Sequence, residues 1–284
     1  MYEPIWRRPT SVKEALEVIS AEGGRASVIA GGTDLVPRIR CGAEAPPVLV
    51  DLGRLESMRG VNENGSGERP RVEIGALTTH AMLARKRAAL GGGGSLRAAD
   101  AQGGSGSGLG LLGAACRTVG GPQIRSRGTL GGNVANASPA GDACTALLAL
   151  EAGALVVSKS RGERELPLGS LLLGPGITAL EPDELITGFS FEEPGADSSS
   201  VYLKEGQRNA LAIAVASVAL VLDRGQGRLR ISLGSVAPTP VRARGAEQLF
   251  ESEWESCGDR NQLIEAVASL AVESAELIDD VRSS

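Results

Sequence analysis

"RGTLGGNVANASPAGD", residues Arg127 to Asp142, is the stretch on which the fold turns. It holds a threonine, two adjacent glycines, two asparagines, a Ser-Pro and a closing aspartate. A packed core has no use for so many short polar side chains, whereas a backbone that must come close to a polar ligand does. A second run of the same kind, "VIAGGTDL" from Val28 to Leu35, lies earlier in the chain after an apolar stretch. One Gly-Gly would be a tight turn. Two with the same polar flanks point to converging N–H groups that hold a diphosphate without many lysines, with Thr33, Thr129 and Asn133 as added side-chain donors.

Composition narrows the alternatives. At 284 residues the chain exceeds the roughly 100–200 residues of one domain, so two or three units are expected. Aromatics make up 2% and the net charge is −5, which argues against stacking platforms or a basic footprint for nucleic acid. No apolar run reaches the ~18 residues of a membrane span, and the N-terminus lacks an apolar signal core, so a cytoplasmic protein is expected. Cys41, Cys116, Cys144 and Cys257 show no C-x-x-C spacing and read as buried free thiols, not as metal or iron–sulfur ligands. His80 is the single histidine and reads as a surface residue in the first turn of a helix rather than a catalytic base. "GLGLLG", Gly108 to Gly113, matches the dinucleotide fingerprint G-x-G-x-x-G. Low-complexity glycine precedes it instead of a strand, so it reads as part of a flexible surface loop over 91–113.

The elements around these loops can be placed by pattern. Ser11 and Glu14 form a capping-box signal for a helix that stops at Gly23. "RASVIA" and "PPVLVDLG" read as strands of a β-α-β opening, and a further strand through Ile74 leads to a helix capped by Thr78 or Thr79. "DACTALLALEAGALVVSKS" reads as a buried helix and a strand, followed by a glycine- and proline-punctuated connection. A boundary there gives a first domain over 1–175, with subdomains about 1–55 and 56–175, and a second over 176–284. "ELITGFSF", "SSVYLKE", "ALAIAVASVALVLD" and "RLRISLGSVA" are expected to form the antiparallel sheet of that second domain, the last two joined by "RGQG". A helix near Ala246 and one from Asn261 to Ile278 close the chain. The latter has Leu263, Ile264, Val267, Leu270, Ala271 and Leu277 on its packing face.

"AGGTDL", "IGALTTHAML", "GGPQIRSRGTLGGNVANASPAGD", "EPDELI" and "SLGSVAPTPVRA" together resemble, in order and over nearly the whole chain, the FAD-binding medium subunit of molybdenum hydroxylases. This is the xanthine dehydrogenase and carbon monoxide dehydrogenase family, and "YLKEGQRNALAIA" is closer to its xanthine and nicotinate dehydrogenase branches. The resemblance implies an α+β fold: a two-subdomain FAD-binding unit of the vanillyl-alcohol oxidase (PCMH) type, then a small antiparallel sheet-plus-helix C-terminal domain. It implies an oxidoreductase subunit that binds FAD and passes electrons from 2Fe-2S centres of a small partner to an acceptor, NAD. A large molybdopterin partner carries the substrate chemistry, in a heterotrimer or a dimer of heterotrimers. Relatives commonly continue beyond "DDVRSS", which implies a shortened C-terminus.

Carried over residue by residue, the resemblance assigns Ile29, Ala30, Gly31, Gly32, Thr33, Asp34 and Leu35 to one side of the FAD diphosphate, and Thr129, Leu130, Gly131, Gly132 and Asn133 to the other. Asp142 would accept hydrogen bonds from FAD hydroxyls or the adenosine end. Leu185, Ile186 and Lys204 would lie near the flavin, the lysine stabilising the reduced ring, and Val119 would meet the ring where some relatives carry an aromatic. Two rivals are a flavin-free assembly or nucleotide-sensing module on the same scaffold and a stand-alone FAD oxidoreductase. Intact "AGGTD" and "TLGGN" count against the first, and the small C-terminal portion against the second.

Overall fold

The structure, a computed structural model, describes residues 3–64, 69–89, 104–208 and 211–276. Its first layer is a three-stranded parallel sheet in which β1 (Ile5–Arg7) and β2 (Ala26–Ile29) flank β3 (Val48–Asp51). Helix α1 (Val12–Glu22) connects β1 to β2, and α2 (Leu35–Arg40) lies on the crossover to β3. The capping signal of α1 is used as written: Ser11 accepts from the Glu14 amide at 3.1 Å, and the Glu14 carboxylate reaches back to the Thr10 amide at 2.7 Å. Its buried face is Ala15, Leu16 and Ile19, and a left-handed Gly23 ends it.

The second layer is an antiparallel sheet built from β4 (Val61–Asn64), β5 (Arg71–Gly75), β7 (Gly153–Ser158), β8 (Gly162–Pro167) and β11 (Glu184–Glu192). The intervening elements in chain order are α3 (His80–Ala89), β6 (Gly104–Ser105), α4 (Gly108–Thr118), α5 (Pro122–Arg127), α6 (Leu130–Ala135), α7 (Asp142–Ala149), α8 (Leu168–Leu171), β9 (Leu172–Gly174) and β10 (Ile177–Thr178). The strand order is β4-β5-β11-β7-β8. "ELITGFSF" is therefore the middle strand of this sheet and not a member of the C-terminal one. Its Phe189 pairs with Ile74 and Ala154 and is fully buried, which contributes about 2–3 kcal/mol. The boundary expected at 175 falls inside the β9–β10 hairpin, ahead of β11, which belongs to this sheet.

The third layer comprises β12 (Ser198–Gly206), β13 (Ala214–Asp223), β14 (Arg228–Gly234) and β15 (Val241–Arg242), with α9 (Arg244–Glu253) and α10 (Arg260–Val272). The order is β15-β14-β13-β12-β6, so the short β6 from the glycine-rich region completes this sheet. Alternation along the strands sends Tyr202, Ala219 and Val221 toward α4 and α7, and Leu220, Leu222, Leu229 and Ile231 toward α9 and α10. On α10 the packed residues are Leu263, Val267 and Ala271. Ile264, expected among them, is 55% exposed, and Leu277 and Ile278 lie outside the described residues.

Helix α7 is buried along its whole length, packed against β13, β14 and β15 of the third sheet on one side and α4, α6 and α8 on the other. "DACTALLA" suits this place because its side chains are small or apolar all round after the first position. A Cβ on Gly234 would overlap the Thr145 hydroxyl, so the third sheet rests directly on α7. Arg69 clamps the layers from outside, its guanidinium 2.6 Å from the buried Asp223 carboxylate.

The glycine-rich segment is corrected in part. Residues 91–103 lie outside the described ones, but 108–113 are the start of α4, with Ser107 accepting from the Gly110 amide at 3.2 Å. "GLGLLG" is thus a buried helix turn. Gly108 is required because a Cβ there would lie 2.6 Å from the Phe191 ring. Of the cysteines, Cys116 and Cys144 are buried as expected, whereas Cys41 is exposed at the end of α2.

Candidate functional site

The loop after β2 and the loop before α6 meet at one point. A Cβ on Gly31 would overlap the Arg127 carbonyl oxygen and lie 2.7 Å from its carbon, so only glycine allows this approach. Next to it, Gly32 sits at φ +73°, left-handed, and turns the chain into α2. The amides of Gly31, Gly32, Thr33 and Asp34 have no acceptor among the described residues. Four neighbouring N–H groups without protein partners form a concave donor surface suited to an anion.

The second loop works differently from the sequence expectation of two amide-lined loops. Its amides are used inside the protein: Leu130 donates to Thr78 at 2.9 Å, Gly131 to Ala76 at 2.8 Å, Asn133 to Thr129 at 3.0 Å and Gly132 to the Thr129 hydroxyl at 3.1 Å. Gly131 is glycine because a Cβ would lie 2.7 Å from that of Ala76. The stretch is in effect stitched to "ALTTH", with Thr79 and Thr129 forming an isolated bridge and His80 donating its amide to Gly128 at 3.1 Å. What remains for a ligand is the Thr129 hydroxyl proton and the side-chain amides. Asn136 donates to Asp34 at 3.4 Å, tying the loops together, and Asn133 accepts a long contact from Cys144 at 3.7 Å. Ser138 caps the turn at Ala140, and Pro139 accepts from Ser235 of the third layer at 3.0 Å.

Between the loops runs a cleft of about 510 Å³, within the span usual for cofactor sites of about 300–1,000 Å³. Ile29 through Leu35 line one wall, and Thr129, Gly131, Gly132 and Asn133 the other. Val119 and the adjacent Leu185 and Ile186 of β11 supply apolar surface, the latter pair next to a register shift before Gly188 that re-aims the strand. Three expected residues do not line it. Leu130, the first residue of α6, is fully buried in the core. Asp142 and Lys204 form a buried pair at 2.8 Å, with the Tyr202 hydroxyl donating to the other Asp142 oxygen at 2.6 Å. Burial, followed by the Asp142 charge, pushes the Tyr202 hydroxyl well up, so it stays a donor. Lys204 also donates to the Thr118 carbonyl at 3.3 Å, one residue from the cleft-lining Val119.

Sequence reasoning missed Leu52, Met58, Ala76 and Leu77 on the cleft floor, which apolar pattern alone cannot distinguish from core. It also misplaced His80, which is 2% exposed and belongs to the cleft wall. A polar first turn pointed outward, but the preceding Thr78–Thr79 pairing draws His80 inward under Gly128. Burial, then the nearby Arg125 charge, lowers its imidazole to about 4, so it is neutral at physiological pH. Among the described residues no group of three His, Cys, Asp or Glu side chains could hold a metal, and no helix is long and apolar enough to cross a membrane.

Comparison with known proteins places this geometry. Residues 1–191 match the family described as FAD binding domain in molybdopterin dehydrogenase, and 201–284 match the CO dehydrogenase flavoprotein C-terminal domain. The chain is 30% identical over 253 residues to the putative xanthine dehydrogenase FAD-binding subunit of Escherichia coli, covering 87% of this chain and 79% of that one. It is 28% identical over 280 residues to the carbon monoxide dehydrogenase medium chain of Hydrogenophaga pseudoflava, covering 98% and 88%. A solved carbon monoxide dehydrogenase from that organism, lacking the Mo-pyranopterin moiety of its cofactor, superposes with TM-score 0.84 at 28% identity, covering all of this chain and 91% of that one.

Proposed function

The chain belongs to the family of FAD-binding medium subunits of molybdenum-hydroxylase-type dehydrogenases, and we propose that it holds FAD in the cleft between its two glycine loops as the electron-transfer subunit of such an oxidoreductase, in the cytoplasm. The observation that carries this reading is the run of acceptor-free amides at Gly31–Asp34 facing the Thr129 loop across a cofactor-sized cleft. The residues fit the group. Those amides and the Thr33 and Thr129 hydroxyls would hold the diphosphate, while Val119, Leu185 and Ile186 would contact the flat, less polar parts of the dinucleotide. Asp142, Tyr202 and Lys204 would act on the ring side by fixing the Thr118 carbonyl and so the position of Val119. On this reading the first two layers are the paired subdomains of a PCMH-type unit and the third is the C-terminal domain.

When bound, FAD supplies the redox chemistry by which electrons from 2Fe-2S centres on a small partner reach an acceptor, for which NAD is the candidate. The work of this chain is to bind and orient that group and keep its diphosphate out of bulk water. Substrate hydroxylation then belongs to a molybdopterin partner, in a heterotrimer or a dimer of heterotrimers. The purified chain should take up FAD non-covalently and release it on heating. It should reduce an artificial dye from NADH, and its flavin should bleach anaerobically with a heterocyclic substrate only when both partner chains are added. A chain that stays colourless with added FAD, or that bleaches with the heterocycle alone, refutes the reading.

A further inference from the structure

The wall of the cleft holds one polar side chain whose second nitrogen is unused. His80 is the single histidine of the chain, is buried, and lines the cleft. Its Nδ1 lies 3.4 Å from Cys116 Sγ, inside α4. The opposite edge of the ring faces the junction of the two glycine loops: a Cβ on Gly128 would lie 3.2 Å from His80 Cδ2 and 3.5 Å from Thr33 Oγ1. Cδ2 and Nε2 are bonded neighbours in imidazole, so Nε2 belongs to this edge. It has no hydrogen-bond partner among the described residues and is not among their sealed-off polar atoms, so it opens on the cleft.

The charge state is set by the surroundings. The Arg125 guanidinium, pinned by the carbonyls of Val119 at 3.0 Å and Gly120 at 2.6 Å, adds to burial in keeping the ring neutral. Burial also pushes the Cys116 thiol far up, so its proton stays on sulfur and is available to Nδ1. A ring that accepts at Nδ1 carries its own proton at Nε2.

We propose that His80 is a cofactor contact, a neutral imidazole whose Nε2–H donates into the cleft beside the Thr33 hydroxyl to an oxygen of the bound dinucleotide, with Cys116 as the positioning residue that selects the tautomer. The proposal rests on the FAD reading above and adds to it a donor that is neither a backbone amide nor a charged side chain. It also gives Gly128 a reason, since any side chain there would stand between His80 and Thr33.

Because the histidine is alone, an untagged full chain carrying ¹⁵N-histidine reports on this one ring. Titration with FAD should leave the Nε2–H tautomer in place and shift the Nε2 resonance. In flavin-fluorescence titrations His80→Phe should raise the Kd for FAD about 10- to 100-fold, and His80→Gln, which keeps an N–H donor, should stay within about threefold of wild type. A wild type that binds FAD with unchanged histidine resonances overturns the contact and leaves the FAD reading standing, even if the phenylalanine variant does not fold. A His80→Phe protein with wild-type affinity does the same. A wild type that binds no FAD overturns both.

Discussion

Replacing Lys204 by methionine tests whether the Asp142–Lys204–Tyr202 cluster is the buried hinge between α7 and the third sheet. The side chains of Lys204 and Asp142 are 11% and 5% exposed and their charged atoms are 2.8 Å apart. Methionine fills most of the lysine's volume, so the main effect is to leave the Asp142 carboxylate buried with only the Tyr202 hydroxyl and the first turn of α7. Losing one partner of such a pair costs about 3–5 kcal/mol. At about 2–4 °C per kcal/mol for a chain somewhat smaller than this one, the flavin-free protein should melt roughly 6–20 °C lower. Adding Asp142→Leu to the same chain removes the stranded charge. The double variant should then recover much of the loss, short of the about 1–3 kcal/mol for a Tyr202 hydroxyl with no acceptor. Scanning calorimetry on flavin-free protein reads the two single variants, Lys204→Met and Asp142→Leu, and the double against wild type. A Lys204→Met chain that melts within about 2 °C of wild type, or a double variant that loses the sum of the singles, would mean that water solvates the pair and the hinge argument is wrong.

Gly31→Ala should weaken FAD binding at least about tenfold and cost about 1–3 kcal/mol, because its Cβ forces the Arg127 backbone away. Gly24→Ala, which enters open space, is the control, and equal Kd values for both would refute the close approach. Acid should weaken the fold partly through His80. The unfolded chain takes up its proton near pH 6.5 and the folded chain only near pH 4, so unfolding binds a proton and stability falls as pH drops through that window. Between pH 7 and 4.5 this amounts to about 2.5 kcal/mol, which His80→Gln should lack in paired urea titrations at the two pH values.

The parts of the site that sequence makes legible are those where one residue type has one physical reason. Gly31 and Gly32 announce a backbone that needs close approach, and Thr129 announces a polar side chain at the glycine turn. All three line the cleft, but the approach is Gly31 to the Arg127 backbone and Thr129 serves also as the cap of α6. What stayed hidden was decided by contacts distant in the chain. The Leu130–Asn133 amides look free in sequence, but "ALTTH", some fifty residues earlier, consumes the first two of them, while Thr129 itself takes the other two. His80 has the local signature of a surface residue until Gly128 and α4 close over it. The strand "ELITGFSF" looks like its C-terminal neighbours because alternation records that a face is buried and says nothing about which sheet buries it.

This division of labour between the loops bears on how flavin binding and folding are coupled. The first layer reaches the cleft through the one loop whose amides lack protein acceptors, and that loop leans on Arg127 and Gly128 of the second layer through a glycine contact. The second loop, whose Leu130–Asn133 amides are all bonded to protein acceptors, is preformed and sets the position of Thr129 without a ligand. A diphosphate would therefore satisfy backbone donors on the first side only, meeting side-chain donors on the other, and much of the free energy of binding would go into holding the first layer against a surface that is already rigid. Linkage then fixes the direction: stabilisation by flavin grows as RT ln(1 + [L]/Kd), about 2.7 kcal/mol at a hundredfold excess over Kd. It should appear first in the amide-exchange protection of Gly31–Asp34 and the strands behind them, while α7 and the Thr129 loop are protected with or without FAD. Equal gains in both loops would mean that the second is also ordered by the cofactor, against the bonds that hold it here.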